Sequence, residues 1–272
     1  MQGRVLIIAG SDSSGGAGLQ ADIKTVTALG GYAMTAVTAV TVQNTLGVTD
    51  IHPIPVKTIR DQIDACLSDI GADVIKIGMI GSAAVANRLA NCLPPDIPVV
   101  LDPVLVATSG DALGDSALAD VIRDDLIPRA AIITPNVHEL AHLSGRPVST
   151  IEAMREAGRR LLASMTGGRV ILKGSHLEDC DQIINSLLGT DTETVITTPR
   201  LNTPHTHGTG CTLASAVATG LAQGLTQEKA FQRAVSYVHG AIDNAPGFGA
   251  GNGPLNHSFA IDPFSVDPKK GH

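Results

Sequence analysis

Tryptophan is absent from this 272-residue chain, and aromatic residues make up only 2% of it. Any core must therefore be aliphatic, built from Val, Ile, Leu and Ala. Positive charge is also scarce. The 19 Lys and Arg stand against 26 Asp and Glu, a net charge of −7, and no basic run exceeds two residues. That argues against a nucleic-acid or anionic-membrane footprint. The four cysteines (Cys66, Cys92, Cys180, Cys211) are widely spaced and make no CxxC pair, so a zinc site or a disulfide framework has little support. No signal-peptide pattern and no apolar stretch of about 18 residues is present. These absences predict a soluble cytoplasmic protein that meets neither membrane nor nucleic acid.

What is there is glycine and aliphatic surface: 29 glycines, 43% hydrophobic and 17% charged residues. The glycines suggest many tight turns and close backbone approaches. The length suits a single α/β unit. No repeat or linker divides it, so residues 1–272 are read as one domain, with 258–272 an irregular tail. Apolar runs at 4–9, 33–42, 74–77, 99–101, 132–134 and 170–173 read as strands. Between them, helical spacing is found at 17–29, 59–70, 83–92, 115–126, 137–143 and 151–165. In the first of these helices, Leu19, Ile23 and Val26 share a face. Residues 10–16 read as a polar, glycine-rich turn. Buried strands alternating with helices predict a mostly parallel sheet covered on both faces. The stretches 182–188 and 193–198, joined by Gly189-Thr190-Asp191, predict an antiparallel hairpin on the sheet edge. Two long helices follow, at 211–223 and 227–244.

Ligands of open α/β sheets sit beyond the carboxyl ends of the strands. Most polar clusters fall there: 10–18, Gln43-Asn44, Gly78-Met79, Asp102, Thr134-Pro135-Asn136 and Lys173-Gly174. Gly16-Ala17-Gly18-Leu19-Gln20-Ala21 fits GxGxxA after a strand. The acidic residue that a dinucleotide site needs at the end of the second strand is missing. A tight turn, or a loop around a small substrate, remains. No GxxxxGK[ST] occurs. Gly208-Thr209-Gly210-Cys211 is another turn that can receive an oxyanion, because free N–H groups and the helix dipole point at it. Cys211 near a helix start is either a thiol of lowered pKa or a packed small hydrophobe. Lys173, ending a buried strand, needs a cleft or a charge partner. Asn136 and Glu139 are either a helix cap with its capping-box partner or oxygen ligands for a hydrated Mg²⁺.

Several segments together resemble one family. They are Ala9 to Thr25, Thr38 to Thr45, Lys76 to Met79, Asp102-Pro103-Val104, Ser109-Gly110-Asp111 and Ile133 to Asn136. Lys173-Gly174, Thr206 to Leu213 and Gly253 to His257 continue the match. It resembles the hydroxymethylpyrimidine/phosphomethylpyrimidine kinases of thiamine biosynthesis. The resemblance implies a three-layer, ribokinase-like fold and ATP as co-substrate. The substrates implied are 4-amino-5-hydroxymethyl-2-methylpyrimidine and its monophosphate, and the assembly a homodimer. By the same resemblance Gln43 binds the aminopyrimidine edge, and Gly10, Asp22 and Met79 line its pocket. Cys211 is the base, Gly208, Thr209, Gly210 and Cys211 supply the anion hole, and Lys173 neutralises ATP phosphate. Asn136 and Glu139 help place Mg²⁺. Ser13 stands where many members have Pro, which is expected to loosen the loop, and Ser175 where Gly is common. A pyridoxal kinase, a nicotinamide-dependent oxidoreductase and a non-catalytic pyrimidine sensor are the rival readings.

Overall fold

The computed structural model describes residues 1–105, 113–174 and 181–262. Ser109-Gly110-Asp111, Ser175, His176, Cys180 and most of the tail from 258 onward lie outside them. The strands are β1 (Arg4–Asp12), β2 (Tyr32–Asn44), β3 (Gly47–Pro53), β4 (Val74–Ile77), β5 (Val99–Leu101), β6 (Ile132–Ile133), β7 (Arg169–Lys173), β8 (Gln182–Leu188) and β9 (Glu193–Pro199). They form one nine-stranded sheet in the order β3-β2-β1-β4-β5-β6-β7-β8-β9. The strands from β2 to β7 pair in parallel, and β8 and β9 add an antiparallel hairpin at one edge. The α/β class and the edge hairpin are as the sequence predicts.

Burial follows the pleat. In β1, Leu6 and Ile8 face one layer, while Val5, Ile7 and Ala9 face the other, all fully buried. The first layer holds α2 (Val56–Asp69), α3 (Ala83–Cys92), α5 (Val137–Ser144) and α6 (Ile151–Leu162), whose apolar faces meet Ile75, Leu101 and Leu172. The second holds α1 (Gly18–Ala28), α7 (Thr209–Ala222) and α8 (Gln227–Asp243). Small residues such as Ala214, Ala216 and Ala218 let α7 pack closely against α1, β4 and β5. No helix among the described residues is long and apolar enough to cross a membrane.

Four features differ from the sequence reading. The opposite edge also ends antiparallel, because β3 folds back on β2 after Asn44. Its mixed, mostly exposed residues carry no apolar run, so periodicity had nothing to detect. β1 continues to Asp12, which shortens the glycine-rich turn to 13–17. The helix expected over 115–126 is only α4 (Leu118–Val121), continued by a π turn over Ile122–Leu126 and a 3₁₀ turn over Ile127–Arg129. Pro128 has no N–H to carry an α-helix onward. Finally, Ile23 is 39% exposed, whereas the core-facing position beside it belongs to Asp22.

Candidate active site

From β1 the chain leaves outward to β2 and later returns to β4 on the other side, which makes a switch point at the carboxyl end of β1. Asp12 ends β1 there, almost fully buried. Its carboxylate accepts from Ser14 N–H and Oγ, both at 2.8 Å, from Gly16 N–H at 3.2 Å and from Ala17 N–H at 2.8 Å. His207 Nε2 lies 2.9 Å from the same Oδ2 as Gly16 and Ala17. Burial works to raise this carboxyl, but the hydrogen bonds from His207, Ser14 and Ala17 outweigh it and hold it below the usual range. Asp12 thus shapes the glycine-rich turn and ties it to the residue before Gly208.

Gly208 caps α7 in the left-handed region, at φ +87°. The two turns touch there: a Cβ on Gly208 would lie 1.9 Å from Gly16 O, and one on Gly16 would lie 2.4 Å from His207 Cδ2. The chain near its end braces the turn from outside. His207 N–H donates to Gly253 O at 3.1 Å, and Thr212 Oγ1 pairs with His257 Nε2 at 2.9 Å. Burial, with some help from Lys24, pushes the His257 imidazole down to about 4. The unfolded chain therefore takes up this proton first, near the ordinary value of about 6.5. Stability from His257 is complete above that pH, falls as pH drops towards 4 and is then lost. It amounts to about 3 kcal/mol. Melting curves from pH 7 to pH 4 should show that loss, and His257→Gln should flatten it.

Beyond the turn, Gly210 approaches two side chains from the carboxyl ends of β5 and β7, the strands on either side of β6. A Cβ there would sit 3.4 Å from Lys173 Nζ and 3.6 Å from Asp102 Oδ2. Lys173 Nζ lies 3.4 Å from Asp102 Oδ1, to which Thr134 Oγ1 donates at 2.7 Å. The charge partner expected for Lys173 is thus Asp102. As the first turn of a helix, Gly208 to Cys211 brings backbone N–H groups without intrahelical acceptors next to this lysine.

Cys211 is half-buried in the first turn of α7. Of the two readings its helix position leaves open, the lowered thiol is not found. Burial pushes it up to about 12, with Asp22 and Asp102 adding to the rise. Lys76 and the Gly18 N–H oppose this without matching it. The thiol is protonated at neutral pH. Asp22 has no exposed surface, and its carboxylate is engaged by Lys76 Nζ at 2.7 Å and Ser215 Oγ at 2.7 Å. It lies beneath the site on α1 and presents nothing to an open pocket.

The aminopyrimidine candidates sit at the other side. Gly10 packs on Met79, whose Sδ would be 2.8 Å from a Cβ there. Met79 clusters with Ala39 and Leu113. Gln43 Oε1 accepts from Thr41 Oγ1 at 3.1 Å, and its Nε2 stands 3.4 Å from His207 Nε2. Facing Asp12, that ring nitrogen donates, so it offers the Gln43 amide N–H groups no acceptor. Ser13 does not loosen the loop. Its hydroxyl donates to Gln43 O at 2.8 Å and accepts from Gln43 N–H at 2.9 Å, stapling the turn to β2.

Asn136 and Glu139 form the capping box of α5, each side chain accepting from the other's backbone N–H at 2.8–2.9 Å. Burial pushes the Glu139 carboxyl up to about 7 against Lys173, with Asp102 adding to the rise. Among the described residues no group of three or more His, Cys, Asp or Glu could hold a metal. A hydrated Mg²⁺ needs only one or two protein oxygens besides phosphate, so Glu139 and Asn136 would hold one through its water shell, their oxygens already accepting backbone N–H groups. Asp12, His207 and Lys76 are residues around the site to which the sequence reading gives no role, and Asp102 is named there only as a strand-end polar group. For Lys76 a signal existed: a lysine inside a four-residue apolar strand.

The family described as phosphomethylpyrimidine kinase matches residues 12–256. The hydroxymethylpyrimidine/phosphomethylpyrimidine kinase of Bacillus subtilis is 41% identical over 269 residues, covering 98% of each chain. A bifunctional thiamine biosynthesis protein of Geobacter sulfurreducens is 46% identical over 96% of this chain, which spans about half (53%) of that longer protein. Among solved structures, an ADP complex of Bacillus subtilis pyridoxal kinase superposes with TM-score 0.87 at 32% identity, covering 96% of this chain and 99% of that one. The phosphomethylpyrimidine kinase of Clostridium difficile gives 0.77 at 35% identity, covering 88% of this chain and 99% of that one. Strand-end chemistry, fold and relatives agree, and this chain belongs to the phosphomethylpyrimidine kinase family.

Proposed function

We propose that the protein transfers the γ-phosphoryl group of ATP to the hydroxymethyl oxygen of 4-amino-5-hydroxymethyl-2-methylpyrimidine, and then a second phosphoryl group to the resulting monophosphate. The observation that carries this is the meeting of Lys173, the first turn of α7 and Cys211 at one point. Phosphoryl transfer needs positioning and charge stabilisation more than covalent help. Lys173 and the amides of Gly208 to Cys211 supply both to the migrating group. Mg²⁺, held through Glu139 with Asn136 as its cap partner, would screen the phosphate charge. In the first transfer the substrate oxygen bonds to phosphorus, the bond to ADP breaks, and the hydroxyl proton passes to the thiolate form of Cys211, the minor species at neutral pH. In the second, a phosphate oxyanion attacks and no proton needs removing.

Gln43 favours the aminopyrimidine, because its amide both donates and accepts and so suits a ring nitrogen beside an exocyclic amine. The likeness to pyridoxal kinases supports pyridoxal as the second reading. ADP release should be measured with ATP, Mg²⁺ and each of hydroxymethylpyrimidine, its monophosphate and pyridoxal. Both pyrimidines should turn over faster than pyridoxal, and the reverse order would overturn the assignment. The reading includes a cytoplasmic homodimer. Unpaired Cys66, Cys92 and Cys211 suit a reducing compartment. Exposed Val40, Val42 and Leu46 on the β2–β3 hairpin suit a subunit contact.

A further inference from the structure

Lys76 is among the largest side chains of the described residues with no exposed surface. It projects from β4, a strand whose other residues are Val74, Ile75 and Ile77. Its Nζ meets Asp22 Oδ2 at 2.7 Å, and Ser215 Oγ donates to Asp22 Oδ1 at 2.7 Å. Burial raises the Asp22 carboxyl, opposed by Lys76 and Ser215, and both its oxygens accept, as an ion pair requires. Burial alone would lower the lysine, but Asp22, Cys211 and Asp102 hold it well above its ordinary range. Gly78 makes room for the ammonium: a Cβ there would lie 2.8 Å from Nζ.

An ion pair of this kind is poor value as a stabiliser. Desolvating two charges can cost more than their attraction returns, and apolar residues of similar volume do as well or better. Its location says more. Ser215 lies four residues after Cys211, on the same face of α7. The charged groups whose fields reach Cys211 are Lys76 from β4, Asp22 from α1 and Asp102 beyond β5. Lys173 from β7 stands next door at Gly210 and is paired with Asp102. Through Asp22 and Ser215, Lys76 sits one helical turn from Cys211, and it is the cation of this set whose charge lowers the thiol.

We propose that Lys76 is a positioning residue for the first phosphoryl transfer, a buried ammonium under Cys211 that keeps its thiolate attainable. Asp22 holds the ammonium charged in a layer that water does not enter, and Ser215 orients Asp22. This rests on the reading of Cys211 as the proton acceptor, and the test separates the two.

The test is the pH dependence of iodoacetamide alkylation at Cys211, read by peptide mass spectrometry, with Cys66 and Cys92 as internal references. A charge partner shifts a neighbour by about 1–3 pH units. Lys76→Met should therefore slow alkylation of Cys211 at a given pH by about 10- to 1,000-fold. The references should not change, phosphorylation of the alcohol should fall by a like factor, and phosphorylation of the monophosphate should stay near wild type. Should Lys76→Met fail to fold, the double variant Lys76→Met, Asp22→Asn removes both charges and keeps an acceptor for Ser215. It should shift alkylation in the same direction by less. An unchanged Cys211 profile in the folded variant overturns the proposal. If Cys211→Ala instead slows both transfers equally, the proton-acceptor reading fails, while alkylation still decides whether Lys76 governs the thiol.

Discussion

Cys211→Ala is expected to slow phosphorylation of the alcohol by about 10²–10⁴-fold, the usual worth of one general base. Phosphorylation of the monophosphate should stay close to wild type. The asymmetry follows from the two nucleophiles. The hydroxymethyl group must lose a proton as it attacks, whereas the phosphate is already an oxyanion. The raised thiol sharpens this into a pH dependence. With Cys211 pushed up to about 12, its thiolate is a minor species at neutral pH, and each pH unit below that value costs about tenfold in its population. The first transfer should therefore accelerate from pH 7 to pH 9 by up to about 100-fold. The alanine variant should lack that slope, and the second transfer should lack it in both proteins. Steady-state ADP release across this range measures all four profiles. Equal losses in the two steps, or a flat first step, would leave Cys211 a positional role only.

Gly208→Ala should be nearly as damaging for a different reason. At φ +87° a residue with a Cβ is strained at any packing density. Here the Cβ would also meet Gly16 O at 1.9 Å and Ala17 Cα at 3.2 Å, both rigid backbone. Either the turn of α7 or the glycine-rich turn must move by the order of an ångström. Such a displacement costs about 10²-fold when reacting groups need near-attack geometry. Both transfers use the same anion hole, so both should fall together, in contrast to Cys211→Ala. Melting temperature should drop as well, since His207, Asp12 and the segment at Gly253 are tied through this contact. A variant with wild-type rates in both steps would remove these glycines from the anion hole.

Much of this molecule was legible before folding. The alternation of aliphatic runs with helical spacing identified the parallel sheet, because strands buried on both faces leave no polar positions to blur the pattern. Lys173 was legible too, since a charge on a buried strand demands a partner. By the same argument Lys76, inside the apolar strand β4, is at least as conspicuous as Lys173. Helical periodicity assigns the core face of α1 to Leu19, Ile23 and Val26, and the resemblance assigns Asp22 to the substrate pocket. The fold instead buries Asp22 against the Lys76 ammonium and leaves Ile23 exposed, because a buried cation requires a buried acid.

Residue order alone determined the layers, the edge hairpin at β8–β9 and the chemistry of the strand ends, because these depend on local spacing. Tertiary structure decided how the charges are shared. Asp12 and His207 are 195 positions apart, Lys76 and Asp22 are 54 apart, and Lys173 and Asp102 are 71 apart. The protonation of Cys211 hangs on such distant neighbours and on the loss of water around them. A thiol at a helix start is lowered by its own turn, but here burial and two carboxylates raise it further than that turn and Lys76 can bring it down.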